Sequence, residues 1–97
     1  MESKFPLGCL KAMETVVTKM CENPDFADFV WASVQRYCNA DWGEMVAADH
    51  RRNNAALVNG DARIFATYTN EWHSDWTIWI ITEWDHSATT VLFPSDY

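Results

Sequence analysis

The sequence predicts an α+β domain in which about three helices precede a three-stranded antiparallel sheet of two consecutive hairpins. Two observations carry this prediction. Apolar residues recur three and four positions apart up to Gly60, which is typical of amphipathic helices, whereas β-branched and aromatic residues dominate from Ala62 onward. The chain has 97 residues without a linker or an internal repeat, so residues 1–97 are predicted to form a single domain.

The first two predicted helices are recognised by their apolar stripes and by the signal that separates them. The first covers roughly residues 8–22. Asn23 followed by Pro24 is typical of an N-cap and a first helical residue, so the second helix is predicted from there to about Cys38. The two stripes consist of Leu10, Met13, Val17, Met20 and Cys21, and of Phe26, Phe29, Val30, Val34, Tyr37 and Cys38.

A third helix is predicted from Asp41, where an acid stands three residues before Glu44 as in a capping box, to Asn59, which Gly60 follows. Its apolar stripe is interrupted by two polar residues, Asp49 and Asn53. Buried polar groups need hydrogen bonds, so we expect a structural network in which Asp49 meets Arg63 and Asn53 satisfies backbone groups of the sheet. A ligand site at Asp49 and Asn53 is the alternative.

Three strands are predicted at residues 63–69, 76–82 and 89–93. The middle one is apolar on both faces, because Ile78 and Ile80 point one way while Trp79 and Ile81 point the other. Short helices joined by a few residues are expected to stack on one face only. The other face would then be exposed, and a two-fold homodimer is the simplest way to cover it.

Cysteine usage and hydropathy indicate a compartment. The three cysteines, Cys9, Cys21 and Cys38, are an odd number, and no export signal is recognised, which favours a reducing environment. No apolar stretch approaches the roughly 20 residues that span a bilayer. The sequence therefore predicts a soluble, cytoplasmic protein with no membrane partner.

Motifs of common enzymes are missing from the sequence. It contains no phosphate-cradling Gly-rich loop, no nucleophile elbow and no zinc-spaced Cys or His pattern, so no catalytic residue, metal or cofactor is predicted. An alternative stays open. A small enzyme or a small-molecule-binding protein could use the acids of the last predicted turn together with its histidine (Glu83, Asp85, His86), or Asp49 with Asn53.

The block from Ile78 to Tyr97 is distinctive in combination: a strand ending in Thr82-Glu83, an acidic turn, Thr89-Thr90, an apolar run and Pro94-Ser95-Asp96-Tyr97. Together with Asp41-Trp42-Gly43, residues 40–97 resemble a family of small uncharacterised proteins carried by bacterial plasmids, conjugative elements and phages. The resemblance implies a mobile-element setting. Genes of that setting help an element survive in its host, and they include inhibitors of CRISPR and restriction systems.

Charge is unevenly distributed along the chain. The formal net charge is −7, and no Lys or Arg follows Arg63. An acidic strand half repels phosphate and complements the basic grooves of nucleic-acid-binding complexes, so we expect a protein partner and no direct contact with nucleic acid. The function predicted is protein–protein interaction, as in an inhibitor of anti-CRISPR or antirestriction type, and the ordinary alternative is an acidic surface that aids solubility. The predicted partner-binding residues are Glu71, Trp72, Asp75, Trp79, Glu83, Trp84 and Asp85.

Overall fold

A computed structural model describes residues 3–60 and 62–97. The described residues form three α-helices, four β-strands and one 3-10 turn, which confirms the α+β class. In chain order the elements are β1 (Cys9–Ala12), α1 (Glu14–Glu22), α2 (Pro24–Cys38), α3 (Ala47–Asn59), β2 (Ile64–Thr69), β3 (Thr77–Thr82), β4 (Ala88–Leu92) and the 3-10 turn Pro94–Asp96.

The sheet is four-stranded and mixed, with the strand order β1-β4-β3-β2. The two predicted hairpins are present, since β2 pairs with β3 and β3 with β4 in antiparallel register. The prediction of a purely antiparallel three-stranded sheet is wrong, because β1 adds a fourth strand parallel to β4, pairing Cys9 with Ala88 and Ala12 with Val91.

Strand β1 occupies the first turn of the helix predicted at residues 8–22, and its partner explains why. The backbone N–H groups of Cys9 and Met13 donate to the carbonyls of Ser87 and Val91 at 3.0 and 2.9 Å. Gly8, with φ +65°, allows the chain to approach β4 closely, since a Cβ there would lie 2.3 Å from the His86 carbonyl oxygen. Pairing with a distant strand overrides the local helical spacing, and α1 begins only after Met13.

Helices α1 and α2 cover one face of the sheet, and this contact forms the core. The Asn23 side chain accepts hydrogen bonds from the backbone N–H groups of Asp25 and Phe26, so α2 begins as predicted. On this face the large buried side chains come from α2, the segment before α3 and the strands: Phe26, Val30, Val34, Tyr37, Trp42, Ile64, Tyr68, Ile78, Ile80 and Val91.

Buried hydroxyl groups form a chain across this core. The Tyr37 hydroxyl lies 2.7 Å from Thr82 Oγ1, which lies 2.8 Å from Thr89 Oγ1. Thr89 in turn donates to the Leu7 carbonyl at 2.7 Å. Because each hydroxyl has one proton to donate, Tyr37 donates to Thr82 and Thr82 donates to Thr89. This arrangement fixes residue 7 against the sheet and satisfies hydroxyls that would be unfavourable to bury alone.

Helix α3 starts at Ala47 rather than at Asp41, because the intervening residues extend along the edge of β2. Gly43, with φ +74°, forms an isolated parallel bridge with Thr67. The Glu44 N–H donates to the Thr67 carbonyl at 2.8 Å, and the Glu44 carboxylate accepts from the Thr69 N–H at 3.0 Å. The predicted end of the helix is confirmed, since Gly60 follows Asn59 in the left-handed conformation.

Candidate functional site

Two tryptophans protrude from the loops at opposite ends of β3. Trp72, in the β2–β3 loop, has 81% of its surface exposed, and Trp84, in the β3–β4 turn, has 62%. Since β3 has six residues, the two loops are separated by about 20 Å. The structure therefore separates the predicted partner-binding residues: Glu71, Trp72 and Asp75 lie at one end, Glu83, Trp84 and Asp85 at the other, and Trp79 lies within β3 between them.

The β2–β3 loop is ordered by Asn70. Its side-chain oxygen accepts hydrogen bonds from the backbone N–H groups of Trp72 and His73 at 2.8 and 2.9 Å. The backbone adds two bonds, from the Asn70 N–H to the Trp76 carbonyl and from the Trp76 N–H to the His73 carbonyl. The loop thus holds its exposed tryptophan on a fixed backbone.

Helix α2 completes a cleft beside this loop. The cleft measures about 430 Å³, and Asp25, Asp28 and Phe29 line it opposite Trp72 and His73. Sequence reasoning missed the contribution of α2, because Asp25 and Asp28 lie more than 40 residues before the loop and look like ordinary helix-start acids. No local signal in the sequence could have joined them to Trp72.

Trp76 is a buried part of the cleft's own lining. The His73 ring stacks on it with the centroids 4.0 Å apart and an interplanar angle of 17°. The Lys19 ammonium lies 5.6 Å from the Trp76 ring centroid and 5.2 Å from that of Phe26. This aromatic wall therefore already carries one cation of the chain itself.

The β3–β4 turn gives each of its polar residues a different neighbour. Glu83 lines a cleft of about 360 Å³ on the open sheet face together with Arg63 and Tyr97. Asp85 is fully exposed and accepts a hydrogen bond from the Ser87 N–H; hydrogen bonds from the Ser87 hydroxyl and N–H hold the pKa of its carboxyl below its ordinary value. The two carboxylates do not share a pocket with His86.

His86 is turned toward the segment before β1. Its Nδ1–H donates to the Pro6 carbonyl at 2.8 Å, and its ring lies edge-on to Phe5 with the centroids 6.3 Å apart. The other ring nitrogen, Nε2, is buried and has no hydrogen-bond partner among residues 3–60 and 62–97. With φ +57° the residue also closes the turn. His86 therefore anchors the chain before β1, and the geometry does not aim it at Glu83 or Asp85.

The polar residues on α3 make separate contacts around one cleft of about 380 Å³. Asn53 bonds the sheet as expected, since its amide donates to the Phe65 carbonyl at 2.7 Å and accepts from the Phe65 N–H at 3.3 Å. Asp49 pairs with Arg52 at 3.0 Å instead of with Arg63. Arg63 donates to the Tyr97 hydroxyl at 3.1 Å. The expected three-residue network is therefore replaced by three separate contacts, one each for Asn53, Asp49 and Arg63.

The sheet face opposite the helices is partly covered by the chain itself. The ring of Tyr97, which follows the 3-10 turn, contacts Trp79 with the centroids 5.5 Å apart, and Phe65 contacts Trp79 from the other side at 5.0 Å. Ile81, expected to be exposed, is only 6% exposed, and Trp79 is half-buried. Part of the argument for a homodimer is thereby removed, and the homodimer stays a prediction.

A third concave surface lies between β1, α1 and α2. It is an apolar groove of about 400 Å³ whose lining includes Leu10, Val17, Met20 and Trp31. Trp31 is 49% exposed, so this tryptophan of α2 belongs to the surface rather than to a deeper core. The titratable side chains among the described residues that line it are Lys11 and Cys21.

Two further features concern metals and membranes. Within residues 3–60 and 62–97, no three His, Cys, Asp or Glu side chains come together as a metal site would require. No helix in that part of the chain combines the length and the apolar character needed to cross a bilayer.

Comparison with known proteins does not place this chain in a family. No family model, no curated protein and no solved structure matches the chain.

Proposed function

We propose that this protein acts by binding a basic surface of a nucleic-acid-handling complex and competing with nucleic acid for that surface. One observation carries the proposal. Beyond Arg63 the sequence contains no Lys or Arg, while Trp72 and Trp84 protrude from loops that also hold carboxylates. Carboxylates attract cationic side chains and repel phosphate, and an exposed tryptophan supplies the large contact area typical of interface anchors.

The target is a host defence complex of the CRISPR or restriction type. The resemblance of residues 40–97 to proteins of plasmids, conjugative elements and phages supports this setting. Effector complexes of CRISPR systems hold their guide and target in a positively charged channel. A small acidic domain offers such a channel the opposite charge, and it would act as an inhibitor in the bacterial cytoplasm.

Affinity capture from a bacterial lysate tests the proposal. The immobilised protein is expected to retain a nucleic-acid-binding protein at about 0.1 M salt and to release it as salt rises, because rim charges are screened over about 10 Å at that ionic strength. Added duplex DNA or RNA should also release the partner, since both compete for the same basic surface. Retention of no protein at low salt would contradict the proposal.

Two charge variants give this experiment a matched control. Glu71→Gln with Glu83→Gln removes one carboxylate from each loop, while Glu14→Gln with Glu22→Gln removes two exposed carboxylates from α1. We expect the loop variant to lose the captured partner and the α1 variant to keep it. Equal losses would show that net charge alone attracts the partner, which the proposal does not allow.

A further inference from the structure

The cleft between the start of α2 and the β2–β3 loop joins negative charge to an open aromatic ring. Asp25 and Asp28 line it from the helix, and Trp72 lines it from the loop. Trp72 is the most exposed of the large aromatic residues among the described residues, at 81%. The volume of about 430 Å³ lies within the roughly 300–1,000 Å³ that ligand clefts occupy.

We infer that this cleft receives an arginine side chain of the protein partner, an inference that rests on the function proposed above. A guanidinium group is planar, so it stacks on an indole ring while its N–H groups donate paired hydrogen bonds to a carboxylate. The cleft offers both surfaces, Trp72 for stacking and Asp25 or Asp28 for the hydrogen bonds. A lysine ammonium is a point charge and uses only part of this arrangement.

The site is built before the partner arrives. Asn70 fixes the backbone of Trp72 and His73 with two hydrogen bonds, so little loop entropy is lost on binding. Trp76, which also lines the cleft, already has a cation beside it, since the Lys19 ammonium lies 5.6 Å from its ring centroid. The charge of Lys19 is outnumbered by the carboxylates of the cleft and of the loop, which are Asp25, Asp28, Glu71 and Asp75.

The β3–β4 turn is the natural comparison, because it also carries a tryptophan between two acids. There, Glu83 lines a cleft shared with Arg63, whose charge offsets that of the carboxylate. Asp85 is engaged by the Ser87 N–H at 3.0 Å. The second carboxylate that lines this cleft, Asp96, already accepts hydrogen bonds from the Thr15 hydroxyl and the Phe93 N–H. A partner's arginine therefore finds the stronger site at the β2–β3 end of the sheet.

The test uses short peptides and the indole N–H signals of the tryptophans in nuclear magnetic resonance. A tri-arginine peptide is titrated into the full chain, with tri-lysine and the uncharged tri-citrulline as comparison probes. Trp72→Phe and Trp84→Phe assign the two loop signals. We expect tri-arginine to shift the Trp72 signal in a saturable manner and more strongly than the other two peptides, while the Trp84 signal moves little.

Two double variants then locate the carboxylates. Asp25→Asn with Asp28→Asn should lower the affinity for tri-arginine at least about fivefold. Glu83→Gln with Asp85→Asn, which removes the same charge at the other end of the sheet, should change that affinity less than about twofold. Circular dichroism checks that each variant is folded. If loss of Asp25 from the first turn of α2 destabilises the helix, Asp28→Asn is used alone, and it should still lower the affinity for tri-arginine.

Three results would overturn the inference: no shift of the Trp72 signal at peptide concentrations up to about 10 mM, equal weakening by both double variants, or equal affinity for tri-lysine and tri-arginine. The proposed function fails separately. If tri-arginine binds at Trp72 but lysate capture retains no nucleic-acid-binding protein, the inference about the cleft is supported and the proposed function is contradicted. If a partner is captured but its binding depends only on Glu83, Trp84 and Asp85, the proposed function is supported and the inference about the cleft is contradicted.

Discussion

At one edge of the sheet, the Asn53 side chain makes hydrogen bonds that a neighbouring strand would otherwise make. Its amide bonds both the N–H and the carbonyl of Phe65, the groups of β2 that face away from β3. A polar residue in the apolar stripe of a helix signals a hydrogen-bond requirement, and here the requirement comes from the backbone of another element. The irregularity in the sequence was therefore informative about Asn53, whereas the contact predicted between Asp49 and Arg63 is wrong.

We expect Asn53→Ala to lower the free energy of unfolding by about 1–3 kcal/mol, because it leaves a backbone donor and acceptor of Phe65 without their partner. Urea titration monitored by circular dichroism measures the change. Asn59→Ala, at an exposed position of the same helix, is the control and should change stability by less than about 0.5 kcal/mol. A similarly small effect of Asn53→Ala would mean that water replaces the side chain.

At the scale of elements, the two edge strands of the sheet differ in how their outward-facing backbone groups are occupied. Asn53 and Glu44 occupy outward-facing backbone groups of β2, at Phe65, Thr67 and Thr69. At the other edge, the backbone N–H groups of Cys9 and Met13 point toward β4, so the backbone polar groups of the alternate residues Leu10 and Ala12 point away from the sheet. Strand β1 is short and carries Lys11, two features that discourage pairing with other chains.

Glycine substitutions test how closely β1 must approach β4. Gly8 and Gly60 both have a positive φ, near +65° and +69°. A Cβ at Gly8 would lie 2.3 Å from the His86 carbonyl oxygen, whereas a Cβ at Gly60 would have no atom of the described, non-adjacent residues within 4 Å. Gly60→Ala should therefore cost only the backbone strain, about 1 kcal/mol. Gly8→Ala should cost at least about 1 kcal/mol more, since β1 must also move away from β4.

Urea titration compares the stabilities of the two glycine variants, and amide hydrogen exchange at Cys9 and Met13 shows whether β1 has detached. These amides should exchange faster in Gly8→Ala than in Gly60→Ala. Equal losses of stability, with β1 still protected in both, would show that the close approach at Gly8 is not needed.

The sequence predicted elements whose signals are local and missed those that depend on distant partners. Asn23-Pro24 and Gly60 mark helix ends within a few residues, and the alternation of the last strands predicts both hairpins. Strand β1 depends on β4, and the start of α3 depends on the edge of β2. Of the residues that line the cleft, the sequence identified Trp72 as a binding residue but not Asp25 or Asp28. Only the fold places these residues together.

The molecule as a whole has a stability limit on the alkaline side, set by two buried tyrosines. Burial raises the pKa of both Tyr37 and Tyr68 above the ordinary value of 10.0. Each hydroxyl also donates inside the fold, and that of Tyr68 bonds the Asp41 carbonyl at 2.6 Å. Ionisation would bury an anion and remove a donor, so the folded state keeps both protons while the unfolded chain releases them above pH 10.

We therefore expect the free energy of unfolding to fall as pH rises above about 10, by up to about 1.4 kcal/mol per pH unit for each tyrosine. Tyr68→Phe should reduce this slope, measured by urea titration between pH 9 and 11, since one of the two linked protons is gone. Tyr97→Phe removes an exposed phenol and serves as the control. An unchanged slope in Tyr68→Phe would exclude Tyr68 as a source of the alkaline loss.

The pairing of β1 with β4 also has a consequence for how the protein is made. The register joins Cys9 to Ala88, so a ribosome must add about 80 residues, roughly 4–16 s of synthesis, before β1 can meet its partner. During that time the apolar residues of α1 and α2 have no sheet to cover. The nascent chain therefore completes its core only after β4 has been synthesised.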